Sequence, residues 1–463
     1  MFFRKVITKS GGKEYAYVKL IENYREGKKV KQRVIANLGN LEDLTPEKVE
    51  GLIASLERVC GVKRARPTVE AKKVLRWGEV LALRRVWEVL GLGEVMAGLL
   101  GEENAPAVEF LAVSRALNPG ETRSFAQWGQ EFYWPGAAEG GVQFPRLEVV
   151  GDGLAAAGGE LEKALYRQIG RVFGRGNTLY CLVAVAEVMP AARAVNASHP
   201  YARYFFAEAA QEEICWGVLA GGAGLPFGYR LFTGTGEAGL RQLCREVGEL
   251  YGGQCLFVGD RQPATNLLLE TVVAHDYPYL VRCRALSERE KQLCREEIAR
   301  GRAGFAEAAG GLLFREVPDG GARYLLCCTP ATLEEKGDPL AGVTLLRTNS
   351  ALGGRELVLA YWELAGLAGR AARISRFTSG EQNLGGELAV VVLGALLERA
   401  LEKLLQRAGL TVDAAQALEI LGELKMIVGL IDGMEVRLAT RTERAQAEIL
   451  RALGIEDLQA LSA

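Results

Sequence analysis

Four short β-prone runs crowd into residues 178–260, and one helical stretch separates the third from the fourth. They read "TLYCLVAVAEV", "ICWGVLA", "LPFGYRLFTG" and "QCLFVGD", with "EAGLRQLCREVGELYG" before the last. Strands interleaved with a helix in this way ask for a sheet covered by helices, so the fold class is α/β. The fourth run ends in a carboxylate, Asp260, at the tip of a strand. That is a position where α/β proteins often keep a metal ligand. One carboxylate cannot assemble a catalytic ion pair alone, and the chain has to supply partners for it.

Flanking this block, the pattern changes character several times. "KEYAYVKLIENY" alternates Tyr15, Tyr17 and Lys19 against Ala16, Val18 and Leu20, and "REGKK" then turns into "VKQRVIANLG". That is a β-hairpin pattern. A helix is expected at about 46–60, followed by the linker "GVKRARPT". From about 72 to 175 the period is helical. Trp77, Val80, Leu81, Trp87 and Leu90 recur at three- and four-residue steps, and Leu161, Leu165, Ile169 and Val172 share one face. "NPGETRSFAQW" at 118–128 reads as a loop and then a helix. Residues 271–348 alternate short strands with the charged helix "SEREKQLCREEIARG", and the remainder reads as helical to the end.

Charge decides more than composition here. The chain is near neutral at −1, yet residues 1–33 hold ten Lys/Arg against only Glu14, Glu22 and Glu26. A basic arm on a neutral chain fits a polyanion partner, most simply nucleic acid, and it equally fits a solvated basic surface. Lys28, Lys29, Lys31 and Arg33 crowd the turn and return strand, and with Arg4 and Lys5 they are the candidate phosphate contacts. The nine cysteines include no C-x-x-C pair and the chain has two histidines, which argues against structural zinc and for reduced core thiols. The longest uncharged apolar run, "LAVVVLGALL" at 388–397, is shorter than the roughly 20 residues that span a bilayer. The start lacks a signal-peptide core, so a cytoplasmic, nucleoid-associated location is expected. "GGAGLPFG" and "GTGEAG" lack the phosphate-loop spacing and read as turn glycines.

Several stretches together resemble the bacterial insertion-sequence transposases with a DDE catalytic core, of the insertion-sequence-four superfamily. They are "YAYVKLIENYREGKKVKQRVIANLGNLEDL", "VLRWGEVLALRRVWEVLGLGEVM", "ALNPGETRSFAQW", "LEKALYRQIGRVF", "GLPFGYRLFTG", "LFVGDR", and "LLRTN" followed by "LVLAYWEL". The resemblance implies a ribonuclease-H-like core, with which three strands, a helix and a strand ending in an acid are compatible, as they are with other α/β layers. It divides the chain into 1–62, a basic β-hairpin arm and short helix; 63–176, a helical DNA-binding region; and 177–270, the first part of the core. A β-rich insertion at 271–344, the second part of the core at 345–385 and a helical tail at 386–463 complete it. The implied partner is double-stranded DNA, at the element's terminal inverted repeats, bound by a homodimer, with no membrane involved.

Such transposases cut DNA with two Mg²⁺ ions about 3.5–4 Å apart, held by two Asp and one Glu. Several carboxylates are needed because two divalent cations repel one another. Asp260 matches the second Asp, as catalytic residue and metal ligand. The first position is Leu182. In the third motif Tyr361 matches, while Leu364 stands for the Arg, Ala368 for the Glu and Ser375 for the Lys. Glu187 lies five residues beyond Leu182, on the opposite side of a strand. Glu363 lies roughly 140° round a helix from position 368. The expectation is a transposase-family protein that binds DNA and no longer cleaves it. Two alternatives stay open: an active DDE enzyme using displaced carboxylates such as Asp152 or Glu187, and a repurposed DNA-binding regulator.

Overall fold

A computed structural model describes residues 1–10, 13–61, 69–118, 130–135, 147–174, 176, 178–189, 212–232, 237–251, 254–259, 264–274, 277–319, 322–334, 340–371, 373–375 and 384–456. The linker at 62–68, the loop and helix expected over 119–128, and Asp260 itself lie outside them. Two compact units form, Met1–Glu70 with Leu430–Met434, and Ala71–Gly429 with Glu435–Ala463.

The first unit is built on an antiparallel meander of β1 (Phe2–Ser10), β2 (Lys13–Glu26) and β3 (Lys29–Asn40). The expected hairpin is β2–β3, closed by a two-residue loop in which Gly27 takes a φ of 63°. Glycine suits the first position of such a loop because it has no Cβ to clash there. The third strand, β1, lies along β2 from Phe2 opposite Ile21 to Ser10 opposite Lys13. Lys and Arg interrupt its apolar alternation, which hid it as a strand. Helix α1 (Pro46–Cys60) fills the range expected for it. Thr45 accepts the Lys48 amide at its start, Pro46 occupies the first turn, and Gly61 ends it in the left-handed region.

Strand β4 (Val69–Arg76), where a helix was expected over "VLR", runs from the first unit into the second, which continues with α2 (Gly78–Val89), α3 (Leu92–Leu100), α4 (Ala105–Leu117), α5 (Leu147–Ala156) and α6 (Gly158–Phe173). Trp77, Val80, Leu81, Trp87 and Leu90 are all buried, as their spacing predicts. Next come β5 (Thr178–Met189), β6 (Glu212–Ala220), β7 (Pro226–Leu231), α7 (Glu237–Tyr251), β8 (Gln254–Gly259), α8 (Ala264–Ala274) and β9 (Tyr279–Arg282). Helix α9 (Glu288–Ala299) starts from a capping box between Ser287 and Glu290. Strands β10 (Ala306–Glu307), β11 (Leu313–Asp319) and β12 (Ala322–Cys328), the short α10 (Pro330–Glu334), β13 (Thr344–Thr348), α11 (Gly354–Ala371) and β14 (Arg373–Ser375) follow. Last are α12 (Gly385–Arg407), α13 (Ala414–Gly422), β15 (Lys425–Ile431), β16 (Met434–Ala439) and α14 (Arg444–Ala452).

One ten-stranded sheet organises this unit, in the order β10-β11-β12-β13-β9-β8-β5-β6-β7, with β14 beside β5. Strands β5, β6 and β7 pair antiparallel in succession, whereas β8 is parallel to both β5 and β9, and β14 is parallel to β5. The strands of 271–348 continue this same sheet, because β13 pairs antiparallel with β9. On β5 one edge is taken by β6, and the other is shared in turn by β8 along Thr178–Val183 and β14 along Glu187–Met189.

Two features fasten helices to this sheet. Arg230 on β7 donates to both carboxylate oxygens of Glu162 on α6, at 3.0 Å for Nη2 to Oε1, and at 3.3 Å to Glu246 on α7. Glu162 is buried, so this fork supplies the charge compensation that its burial requires. Helix α12 is apolar along almost its whole first half and is enclosed, which is where the longest apolar run is used. Its Gly386 meets α5 so closely that an added Cβ would lie 2.5 Å from the Gly151 carbonyl oxygen. Among the described residues no helix is long and apolar enough to cross a membrane.

The tail expected to be helical from 386 onward contains a hairpin instead. Strands β15 and β16 turn at Asp432 and Gly433, with φ of 51° and 82°. An Asp-Gly pair with both φ positive is a strong hairpin signal, and it overrides the helical spacing that "AQALEILGELKMIVGLI" carries through residue 431. With β4 they make a sheet of order β16-β15-β4.

Thiols divide sharply by environment. Cys181, Cys255, Cys294, Cys327 and Cys328 are buried, whereas Cys60 at the end of α1 is exposed. Burial pushes the Cys215 and Cys294 thiols up to about 11, and Cys283 to about 12 with help from Glu290. The neutral thiol is the form that folding favours. That contribution is whole below the ordinary value of 9.0 and is lost as pH rises through the folded values. Iodoacetamide at pH 8 should therefore label Cys60 rapidly, with Cys215, Cys283 and Cys294 reacting only after denaturation, as read by peptide mass spectrometry. Gly386→Ala should lower unfolding stability by about 1–3 kcal/mol through overpacking, measured by chemical denaturation.

Candidate nucleic-acid interface and metal centre

The basic residues of the first unit sit on an extended, exposed sheet. Arg4, Lys5, Lys28, Lys29, Lys31 and Arg33 are all exposed, on β1, in the β2–β3 turn and on β3. Their surroundings differ. Arg33 donates through Nε to Glu22 at 2.8 Å and stacks over the Tyr24 ring at 5.5 Å. Lys31 pairs with Glu26. Arg4 donates to the Gln32 side-chain oxygen at 3.3 Å. Among the described residues Lys5, Lys28 and Lys29 enter no ion pair. The cross-strand register adds two basic residues that were counted in the sequence but not named among the candidate phosphate contacts. Lys19 lies opposite Arg4, and Arg25 lies opposite Val30. Strict alternation along β2, combined with a third strand beside it, is the signal that would have found them.

The candidate metal centre is framed by β5, the end of β8 and α11. The parallel register puts Leu182 beside Val258 and Val183 beside Gly259, the last described residue before Asp260. Leu182 is fully buried. Two residues earlier on the same face, Tyr180 is pushed up to about 12 by burial first, then by Glu356 and Glu363 of α11. Helix α11 packs against β5. The facing stripe of the helix is apolar, since Leu357, Tyr361 and Leu364 are buried. Ala368 lies within α11 and Ser375 at the end of β14, and their side chains are outside the described set.

The neighbouring acids are committed elsewhere or distant in kind. Glu363 accepts a 2.8 Å hydrogen bond from Lys403 of α12, and Arg399, itself paired with Glu402 at 2.8 Å, stands 3.9 Å away. The turn before β7 leaves room for that carboxylate, because an added Cβ on Gly224 would lie 3.1 Å from Glu363. Glu187 pairs through its backbone with Glu213 on one edge and Arg373 on the other. Asp152 is exposed on α5. A leucine side chain carries no oxygen, so position 182 offers Mg²⁺ no side-chain ligand. Among the described residues no cluster of three His, Cys, Asp or Glu could hold a metal ion.

Comparison with known families gives a match at one end of the chain. Residues 3–67 match the sequence profile of the IS1634 family transposase, N-terminal domain. The match covers the whole basic meander and α1, and it supports an insertion-sequence transposase. No curated protein matches the chain.

Leu182 is a packing residue, buried in the core. Leu182→Ala should cost about 2–5 kcal/mol of stability, as buried leucine truncations do, while leaving retention of duplex DNA on a native gel unchanged.

Proposed function

We propose that the chain is a DNA-binding protein of the insertion-sequence transposase kind whose ribonuclease-H-like core does not assemble a two-metal cutting centre. The observation that carries the reading is the coincidence of the transposase match over 3–67 with an exposed, basic, three-stranded sheet. Its partner on this reading is double-stranded DNA at the ends of the element, bound by a homodimer. The succession β5-β6-β7, helix, β8, with β8 parallel to β5, supports the ribonuclease-H-like assignment of the core.

Loss of cutting rests on packing. Strand transfer of the DDE type needs carboxylates on adjoining elements, aimed at one point, to hold two ions. Here the face of β5 that would present the first is closed by Leu182, and the third-motif helix turns Leu364 toward the core. Asp260 is the one acid of the expected three that the sequence matches. A lone carboxylate binds Mg²⁺ weakly, because the ion gives up hydration reluctantly and prefers several oxygen ligands.

Labelled duplex carrying the element ends, incubated with Mg²⁺ or Mn²⁺ and resolved on a denaturing gel, tests this directly. The expected outcome is no nick from the wild type or from Asp260→Ala, with both still retarding the duplex on a native gel. A metal-dependent nick that disappears in Asp260→Ala would establish an active enzyme using displaced carboxylates.

A further inference from the structure

Taking the DNA-binding reading as given, we infer that the first unit contacts a DNA groove through the sheet face carrying Arg4, Lys19 and Arg25, and that the face carrying Lys31 and Arg33 points away. Directly opposed residues of an antiparallel pair share a face, and neighbours along a strand alternate. From the register, one face holds Phe2, Arg4 and Val6 on β1, Lys19, Asn23 and Arg25 on β2 around the buried Ile21, and Val30, Gln32 and Val34 on β3. No acid lies on that face among the described residues. The other face carries Lys5, Lys9, Lys29, Lys31 and Arg33 together with Glu14, Glu22 and Glu26.

The glutamates are not idle. Glu14 pairs with Lys9 at 2.7 Å, Glu26 with Lys31, and Glu22 with Arg33 at 2.6 Å. Each such surface pair adds little to stability. Its effect on a polyanion is larger, because a lysine or arginine already facing a carboxylate releases fewer counterions when a phosphate arrives, and the carboxylate repels that phosphate. That face is thereby left with Lys5 and Lys29 outside ion pairs, and the sparser face keeps all of its charge.

The second argument is what lies between the basic residues. Asn23 and Gln32 face each other across β2 and β3, both exposed, with Lys19 and Arg4 on one side and Arg25 on the other. Lys19 and Arg25 are six residues apart on one strand, about 20 Å at roughly 3.4 Å per residue. That is the scale of a major groove about 12 Å wide plus its bordering phosphates, and such a groove admits a β-ribbon. Amide side chains are the natural readers of adenine edges there, and the exposed Val30 and Val34 suit thymine methyl groups. Two functions separate on one surface, with basic residues fixing the position and the amide pair reading sequence.

The test measures affinity of the full chain for a fluorescent mixed-sequence duplex of about 30 base pairs over a range of NaCl. Arg25→Ala and Lys19→Ala should each flatten the plot of log affinity against log salt by about 0.9, the value for one lost phosphate contact. Arg25→Lys should restore the slope, and circular dichroism would verify that each variant keeps its sheet. Arg33→Ala and Lys31→Ala should leave the slope unchanged. Asn23→Ala with Gln32→Ala should leave it unchanged too, while narrowing the difference in affinity between preferred and random sequences selected from a randomised duplex pool. A slope flattened by Arg33→Ala and Lys31→Ala, alone or equally with the other pair, would overturn the choice of face and leave DNA binding intact. A wild-type chain with no salt-dependent affinity for the duplex would instead overturn the DNA-binding reading itself.

Discussion

Strand β5 is the element on which the larger unit depends. It is the only strand of the described sheet that must satisfy β6 along one edge and both β8 and β14 along the other. Its backbone groups are therefore spoken for almost from end to end, and Leu179, Cys181, Leu182, Val183 and Ala184 bury side chains on both faces. A strand in that position has little freedom. Any side chain it presents toward α11 must fit a dry, closed contact, and a charge there needs a partner to offset several kcal/mol of desolvation.

That constraint explains why the polar groups nearby look as they do. Ionised side chains between α11 and α12 come as a set, with Glu363 facing Lys403 and Arg399, and Arg399 answered by Glu402. The same rule operates at the sheet edge, where Arg230 compensates Glu162, and in the β11 region, where Arg315 binds Glu297 at 2.9 Å and stacks over Phe305. The carboxylate, buried at Glu162 and Glu297 and half-buried at Glu363, is matched by a guanidinium or ammonium from another element. The fold uses its interior charges to tie helices and strands together, which is a different use from presenting them to a solvent ion.

Much of this was legible before any coordinates. The runs at 178–260 became strands and a helix in the expected order because each has strong apolar character bounded by glycine or polar turns. The apolar spacing of Trp77 to Leu90 marked a buried face for the same reason. What escaped was of two kinds. Strand β1 carries Arg4, Lys5 and Lys9 among its apolar residues, and its pairing with β2 is a long-range fact that local alternation does not encode. The hairpin of β15 and β16 was masked by an apolar run that fits a helix as well as a strand, although Asp432-Gly433 stood in plain view. At the basic sheet, the sequence displayed charge density, whereas the register displays which charges already have partners. Only the second quantity bears on a ligand.

The apolar contact between β5 and α11 also limits where the chain can go by mutation. Leu182 is fully enclosed, and a carboxylate there would have to meet an ion together with acids from other elements. That change alone leaves a single unshielded charge in a packed interior, a penalty with no compensating ligand until a second acid is supplied. Intermediates on that path are less stable than either end. A core filled in this way is a ratchet: single substitutions can improve its packing, but the route toward a metal centre begins uphill.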